Sequence, residues 1–238
     1  MFGWRARIGY IMPGPYLYSQ EWDKVLPEGV VWAVASLGVA SLTRKDFERA
    51  FNTWLTAAES LISRDVDVII CGGTPIQLTM GYEKSLEAAK HIQEKTGVPT
   101  FLQLEAVTDA LQSLSAKTLV AATPYGSEHN EAHKKHFDKL GLQTLNMKGL
   151  GLKRNVEITK QPSYASYRLA RESFNGAPQA DAIWIGCPVW PIVSNLSSME
   201  SDFGKPVVTD VTSAIWKALT TLGIKGPAKG YGKLLEAL

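Results

Sequence analysis

The chain has 238 residues, 45% hydrophobic and 20% charged, proportions of an ordinary globular protein with room for one large domain or two small ones. Its 25 basic and 23 acidic side chains are scattered and leave a net charge of +2, so no basic stripe exists to neutralise a row of phosphates and nucleic acid is not an expected partner. No apolar run approaches the roughly 18 residues of a membrane span, and the start "MFGWRARIGYIMPGP" reads as a first strand with arginines in it, so a cytoplasmic protein without membrane contact is expected.

The first strand is read in "RIGYIM" (7–12), the second in "VVWAVASL" (30–37), the third in "VDVIICG" (66–72) and the fourth in "PTFLQL" (99–104). Such short β-rich runs suit a parallel sheet covered on both faces. Phe47, Phe51, Trp54, Ala58 and Leu61 recur at steps of three and four and predict one helix, opened by Thr43 and Asp46 as an approximate capping box. Thr74 is expected to cap the next helix, with Pro75 at its first position and an end near Gly97. Four more strands follow in "KTLVAATP" (117–124), "LQTLNMKGL" (142–150), "DAIWIGCP" (181–188) and "KPVVTD" (205–210), with helices near 127–140, 163–175, 192–203 and 212–222.

Each half carries a cysteine at the end of its third strand, which suggests a duplicated βα unit. The expected fold is α/β, two pseudo-symmetric halves, each a four-stranded parallel sheet flanked by helices, with the active site in the cleft between them, where strand carboxyl ends gather ligands. Residues 1–115 with 212–238 would form the first half, the last helix packing back onto it, and 116–211 the second.

Two cysteines are too few for a disulfide framework and are expected as reduced thiols. A cysteine at a buried strand is often only a small hydrophobe. Cys187 in "GCPVWP" reads differently: Gly186 permits close approach, and a helix starting near Pro191 or Ile192 aims its positive end at the turn, which lowers a thiol's pKa. Thr74, besides capping, has a hydroxyl suited to a carboxylate, and Tyr125 in "ATPYGS" is either a wall residue or a phenol donor to the same anion. His129, His133 and His136 share a helix crowded by Lys134, Lys135 and Lys139, which favours a solvated face over a metal site. The glycines of "GLGLKR" and "KGYGK" match no phosphate loop or dinucleotide fingerprint.

The order and spacing of "IGYIMP", "SLGVASLTRKDF", "GGTP", "ATPYGSEHNE", "IGCPVW", "GKPVVTDVTSAIWKAL" and "GYGKLLE" resemble the aspartate/glutamate racemase superfamily, and within it the branch of arylmalonate decarboxylases and maleate cis-trans isomerases. The superfamily's amino-acid racemases place cysteines on opposite faces of the substrate and an aspartate after the first strand; "CGGT", "GCPV" and "MPGP" depart from their motifs and disfavour that activity. In the decarboxylase and isomerase branch the first cysteine position directly precedes the threonine, which here is Gly73. Cys71 falls two residues earlier, about 6 to 7 Å back along a strand, so the reading favours Cys187 acting alone and keeps Cys71 as the candidate second thiol.

What the resemblance then implies is a cofactor-free decarboxylase of substituted aryl- or alkylmalonates, in which Cys187 protonates an enediolate. One carboxylate would be held by Thr74, Tyr125 and backbone N–H groups after Gly73, while Val39, Leu42, Phe47 and, more loosely, Val156 match the family's apolar pocket. Pro13 and Gly14 stand where the isomerases carry an asparagine, and Pro75, Pro188 and Val189 replace a serine and two glycines of the decarboxylases, so the anion site is expected to be altered. The alternatives are a two-base isomerase or racemase that uses Cys71 as well, and a non-enzymatic binder of small carboxylates. The partner expected is a small carboxylate or dicarboxylate; the sequence also allows a homo-oligomer.

Overall fold

In the computed structural model, which describes residues 3–14, 20–226 and 229–238, the strands form two separate four-stranded sheets. β1 (Ala6–Met12), β2 (Val30–Ser36), β3 (Val68–Cys71) and β4 (Thr100–Leu102) pair in the order β2-β1-β3-β4. β5 (Thr118–Thr123), β6 (Gln143–Gly149), β7 (Ala182–Ile185) and β8 (Val207–Thr209) repeat it as β6-β5-β7-β8. Every pairing is parallel, so all the strands of a half end on one side. β3 and β7 are buried along their whole length, which is why they read as unbroken apolar runs.

The helices in chain order are α1 (Gln20–Val25), α2 (Arg44–Phe51), α3 (Trp54–Ile62), α4 (Thr74–Met80), α5 (Tyr82–Thr96), α6 (Gln103–Ser113), α7 (Ser127–Lys139), α8 (Asn155–Thr159), α9 (Ser163–Asn175), α10 (Leu196–Phe203), α11 (Asp210–Thr221) and α12 (Lys233–Glu236), with a 3₁₀ turn at Val193–Asn195. The apolar stripe from Phe47 to Leu61 spans two helices instead of one. The chain breaks at Asn52 and Thr53, where the Thr53 hydroxyl donates to the Ala50 carbonyl (2.8 Å) and so competes with the helical ladder. Thr43 does cap α2, accepting from the Asp46 N–H (3.3 Å), while Asp46 accepts the Ser41 N–H (3.1 Å). The helix expected from Thr74 to Gly97 divides at Gly81, whose φ of 99° lies outside helical space.

α6 is absent from the sequence reading because its first residues, Gln103 and Leu104, continue the apolar run of β4. Leu104, Val107 and Leu111 recur at helical steps and pack on the second sheet with Leu119, Ala121 and Trp184. Reciprocally, Val211, Ile215, Ala218 and Leu219 of α11 pack on the first sheet with Ile8, Tyr10 and Ile70. Each fully buried Leu or Ile side chain contributes about 2 kcal/mol, so the exchange of helices ties the two halves together. Lys217 of α11 reinforces it, bridging Glu105 (2.7 Å) and Asp109 of α6. No helix among the described residues is long and apolar enough to cross a membrane.

Candidate active site

Two turns built alike face the cleft. After β3 the Gly72 N–H donates to the Ile11 carbonyl (3.0 Å), and a Cβ at Gly72 would stand 2.5 Å from that oxygen. Gly73 follows at φ 95° and precedes α4, so Thr74 is the first helical residue and Pro75 the second; the cap assigned to Thr74 belongs to Gly73. After β7 the Gly186 N–H donates to the Ala122 carbonyl (3.0 Å), and Cys187 follows at φ 87°. Holding a residue with a Cβ in left-handed space costs about 1 to 2 kcal/mol. Buried Asp210 offsets that cost: its Oδ2 accepts the Cys187 N–H (2.9 Å) and its Oδ1 the Trp184 Nε1–H (3.0 Å). Trp22 of α1 donates to the Pro188 carbonyl (2.9 Å) and fixes the next residue.

Between the turns lies a cavity of about 30 Å³, lined by Met12, Pro13, Gly14, Val39, Leu42, Phe47, Gly73, Pro75, Ile76, Tyr125, Asn155, Cys187, Pro188 and Val189. None of these side chains carries a charge. The cavity is roofed by a strap in which residues 39–42 meet 153–155. Leu42 N–H donates to Lys153 O (2.9 Å), Asn155 N–H to Ala40 O (3.0 Å) and Asn155 Nδ2 to Val39 O (2.6 Å).

Burial dominates the acidities. It pushes the Cys187 thiol up to about 12; the N–H groups of Val189 and Trp190 and the Tyr125 hydroxyl pull it down, and the Asp210 charge raises it. The helix start expected near Pro191 or Ile192 is absent there, since a 3₁₀ turn occupies Val193–Asn195 and α10 begins only at Leu196, and burial outweighs the N–H groups that do lower the thiol. Asp210 itself is raised to about 7 by burial, against the two N–H groups it accepts. Burial likewise pushes Tyr125 well above its ordinary value, with Cys187 and Thr74 as hydrogen-bonding neighbours of its hydroxyl. Burial also pushes Cys71 up, followed by Glu105.

Residues 11–235 match the family model described as arylmalonate decarboxylase. The chain belongs to the arylmalonate decarboxylase family. It is similar to the arylmalonate decarboxylase of Bordetella bronchiseptica, 22% identical over 231 residues and 96% of each chain. It is also similar to the maleate isomerase of Geobacillus stearothermophilus, 22% identical over 251 residues and 97% of each. A crystal structure of a double mutant of arylmalonate decarboxylase in liganded form superimposes with a TM-score of 0.91 at 21% identity, covering 98% of this chain and 100% of that one. The fold is thus that of the arylmalonate decarboxylase structures, and the family holds both decarboxylases and isomerases.

Against this family background, the structure gathers Pro13, Gly14, Val39, Leu42, Phe47, Gly73, Pro75, Tyr125, Cys187, Pro188 and Val189 around one cavity. Three positions read from the sequence stand apart from its wall. Cys71 is fully buried among Ile11, Ile69, Ile76 and Leu102. Val156 gives way to its neighbour Asn155, since one step along α8 turns a side chain by about 100°. Thr74 lies just behind Tyr125 and bonds His133 instead (2.8 Å).

That histidine overturns the reading of α7 as a solvated face: His133 and His136 are buried, with the lysines on the outer side of the helix. Among the described residues no cluster of His, Cys, Asp or Glu is arranged to hold a metal ion. Asp210, Trp184, Trp22, Asn155 and His133 escaped the sequence reading. A signal existed for His133, because His129, His133, His136 and Phe137 fall on one stripe.

Proposed function

We propose that this chain decarboxylates substituted malonates without a cofactor, through an enediolate that Cys187 protonates. The observation that carries the reading is the neutral thiol of Cys187. Burial and the Asp210 carboxylate favour the S–H form, and a thiol that keeps its proton suits a general acid better than a nucleophile. Gly73 stands across from it, and Cys187 is the one thiol in the cavity wall among the described residues.

The chemistry follows from the wall. One substrate carboxylate accepts from Tyr125 and from backbone N–H groups beyond Gly73. The other sits against Val39, Leu42 and Phe47, where the lack of donors favours departure as neutral CO₂. Cleavage of the bond to that carboxyl leaves its electron pair on the α-carbon as an enediolate. The Cys187 S–H bond then breaks to place a proton on that carbon, and the thiolate recovers a proton from solvent. The cavity holds only about two waters, so substrate binding widens it, and we assign that movement to the strap of residues 39–42 and 153–155.

The 22% identity to a maleate isomerase supports a second reading, in which Cys71 joins Cys187 as a second reactive group. Incubation in D₂O with aryl- and alkylmalonates, maleate and 2-aryl carboxylic acids, followed by proton NMR, separates the two. Release of CO₂ with one deuterium at the α-carbon, lost in Cys187→Ala and kept in Cys71→Ala, establishes the one-thiol decarboxylase. Cis-trans conversion or exchange without CO₂ release, lost in both variants, establishes the two-thiol isomerase or racemase.

A further inference from the structure

His133 is fully buried on α7 and touches three parts of the site at once. Its Nε2 lies 2.8 Å from Thr74 Oγ, its Nδ1 lies 2.6 Å from the carbonyl oxygen of His129, and its ring stacks on Tyr125 with centroids 5.8 Å apart and planes 10° from parallel. Trp184, which bonds Asp210, packs on it at 5.1 Å.

These contacts determine where the protons sit. A carbonyl oxygen only accepts, so Nδ1 carries the ring proton. Burial brings the imidazole pKa down to about 3, so the ring is neutral and Nε2 is bare. A bare nitrogen at 2.8 Å from a hydroxyl accepts that hydroxyl's hydrogen bond. Thr74 has one proton and spends it on His133, so it has none left to give a substrate. The Asn155 amide gives one of its two N–H groups to Val39, and Tyr125 is the one side-chain hydroxyl in the cavity wall among the described residues.

We propose that His133 is a positioning residue whose fixed tautomer accepts the hydrogen bond of the Thr74 hydroxyl and leaves Tyr125 as the side-chain hydroxyl that donates to the substrate carboxylate. The Tyr125 half rests on the carboxylate-binding reading above; the His133 half does not. The arriving carboxylate draws the Tyr125 O–H away from the Cys187 sulfur, because an ionised acceptor binds that proton more strongly than a neutral thiol does.

The test begins with the full chain, ¹⁵N-labelled at histidine and free of ligand, in a two-bond ¹H–¹⁵N correlation spectrum. The His133 signals should show a protonated Nδ1 and a bare Nε2, unchanged from about pH 6 to 8. A protonated Nε2, or a charged ring, overturns the proposal. Kinetics with methylmalonate give the second arm: Tyr125→Phe should raise KM more than about tenfold and Thr74→Val less than about threefold, with kcat recorded separately. Equal losses in KM would make Thr74 a donor and overturn the proposal. A wild-type chain that binds neither malonates nor monocarboxylates overturns the decarboxylase reading and the Tyr125 assignment together, while the tautomer pattern still decides the role of His133.

Discussion

The turns after β3 and β7 are the same turn carrying different residues. Cys71-Gly72-Gly73 and Ile185-Gly186-Cys187 occupy matching places at their strand ends, and the middle glycine of each donates to a neighbouring strand's carbonyl at 3.0 Å. The third residue of each is left-handed, at φ 95° and 87°. Glycine adopts that backbone without strain; cysteine does not. The molecule therefore tolerates strain on one side of the cleft to place a thiol there, and keeps the other side relaxed and bare. It follows that the counterpart of Cys187 is Gly73, and the counterpart of Cys71 is the core residue Ile185.

The largest effect should come from Cys187→Ala, which removes the proposed proton donor and should lower turnover by about 100- to 10,000-fold in a CO₂-release assay. Cys187→Gly should be equally inactive yet more stable than Cys187→Ala by about 1 kcal/mol, because the left-handed strain is gone; thermal melts of the pair measure this. Gly73→Cys makes the turns chemically alike at a steric cost. Its Cβ would lie 2.6 Å from Pro13 Cγ, and a loss of about 1 to 3 kcal/mol is expected in denaturant unfolding, together with α-deuteration of product acids in D₂O.

Asp210 supports only the second turn, so Asp210→Asn separates them electrostatically. In the wild type its folded pKa of about 7 lies above the ordinary carboxylate value of 3.8, so the folded state holds the proton more tightly. Its contribution to stability is complete below about pH 4 and is lost as pH rises through 7, a difference of about 4 kcal/mol. Asp210→Asn should flatten that part of the stability-pH curve and bring thiolate absorbance of Cys187 in at lower pH. The smallest effect belongs to Cys71→Ala: turnover within about twofold of wild type and a stability loss of about 1 kcal/mol from the vacated core space.

The strands and their carboxyl-end turns were legible because a strand buried on both faces must be apolar throughout, and "VIIC" and "AIWI" say so locally. α6 was not legible, since Phe101, Leu102 and Leu104 form one apolar run across the strand-helix boundary and only the second sheet distinguishes the helix part. The breaks at Asn52 and Gly81 are likewise too weak as local signals to override a continuous helical stripe. In the site, Gly73, Tyr125 and Cys187 after strand ends were read from local pattern and Val39, Leu42 and Phe47 from the resemblance, whereas Trp22, Asn155 and His133, which reach the site from other helices, were not. Asp210 looked like the end of a strand, and the lysines beside His133 masked a buried stripe.

By itself the sequence determined two βα halves, the glycines that shape their turns and a thiol at the end of β7, because each depends on neighbouring residues and on burial periodicity. The tertiary structure alone decided that Cys71 belongs to the core, that the Cys187 thiol holds its proton and that the Thr74 hydroxyl faces a histidine from another helix. Those outcomes depend on dielectric surroundings and on donors arriving from distant segments, which no local pattern encodes.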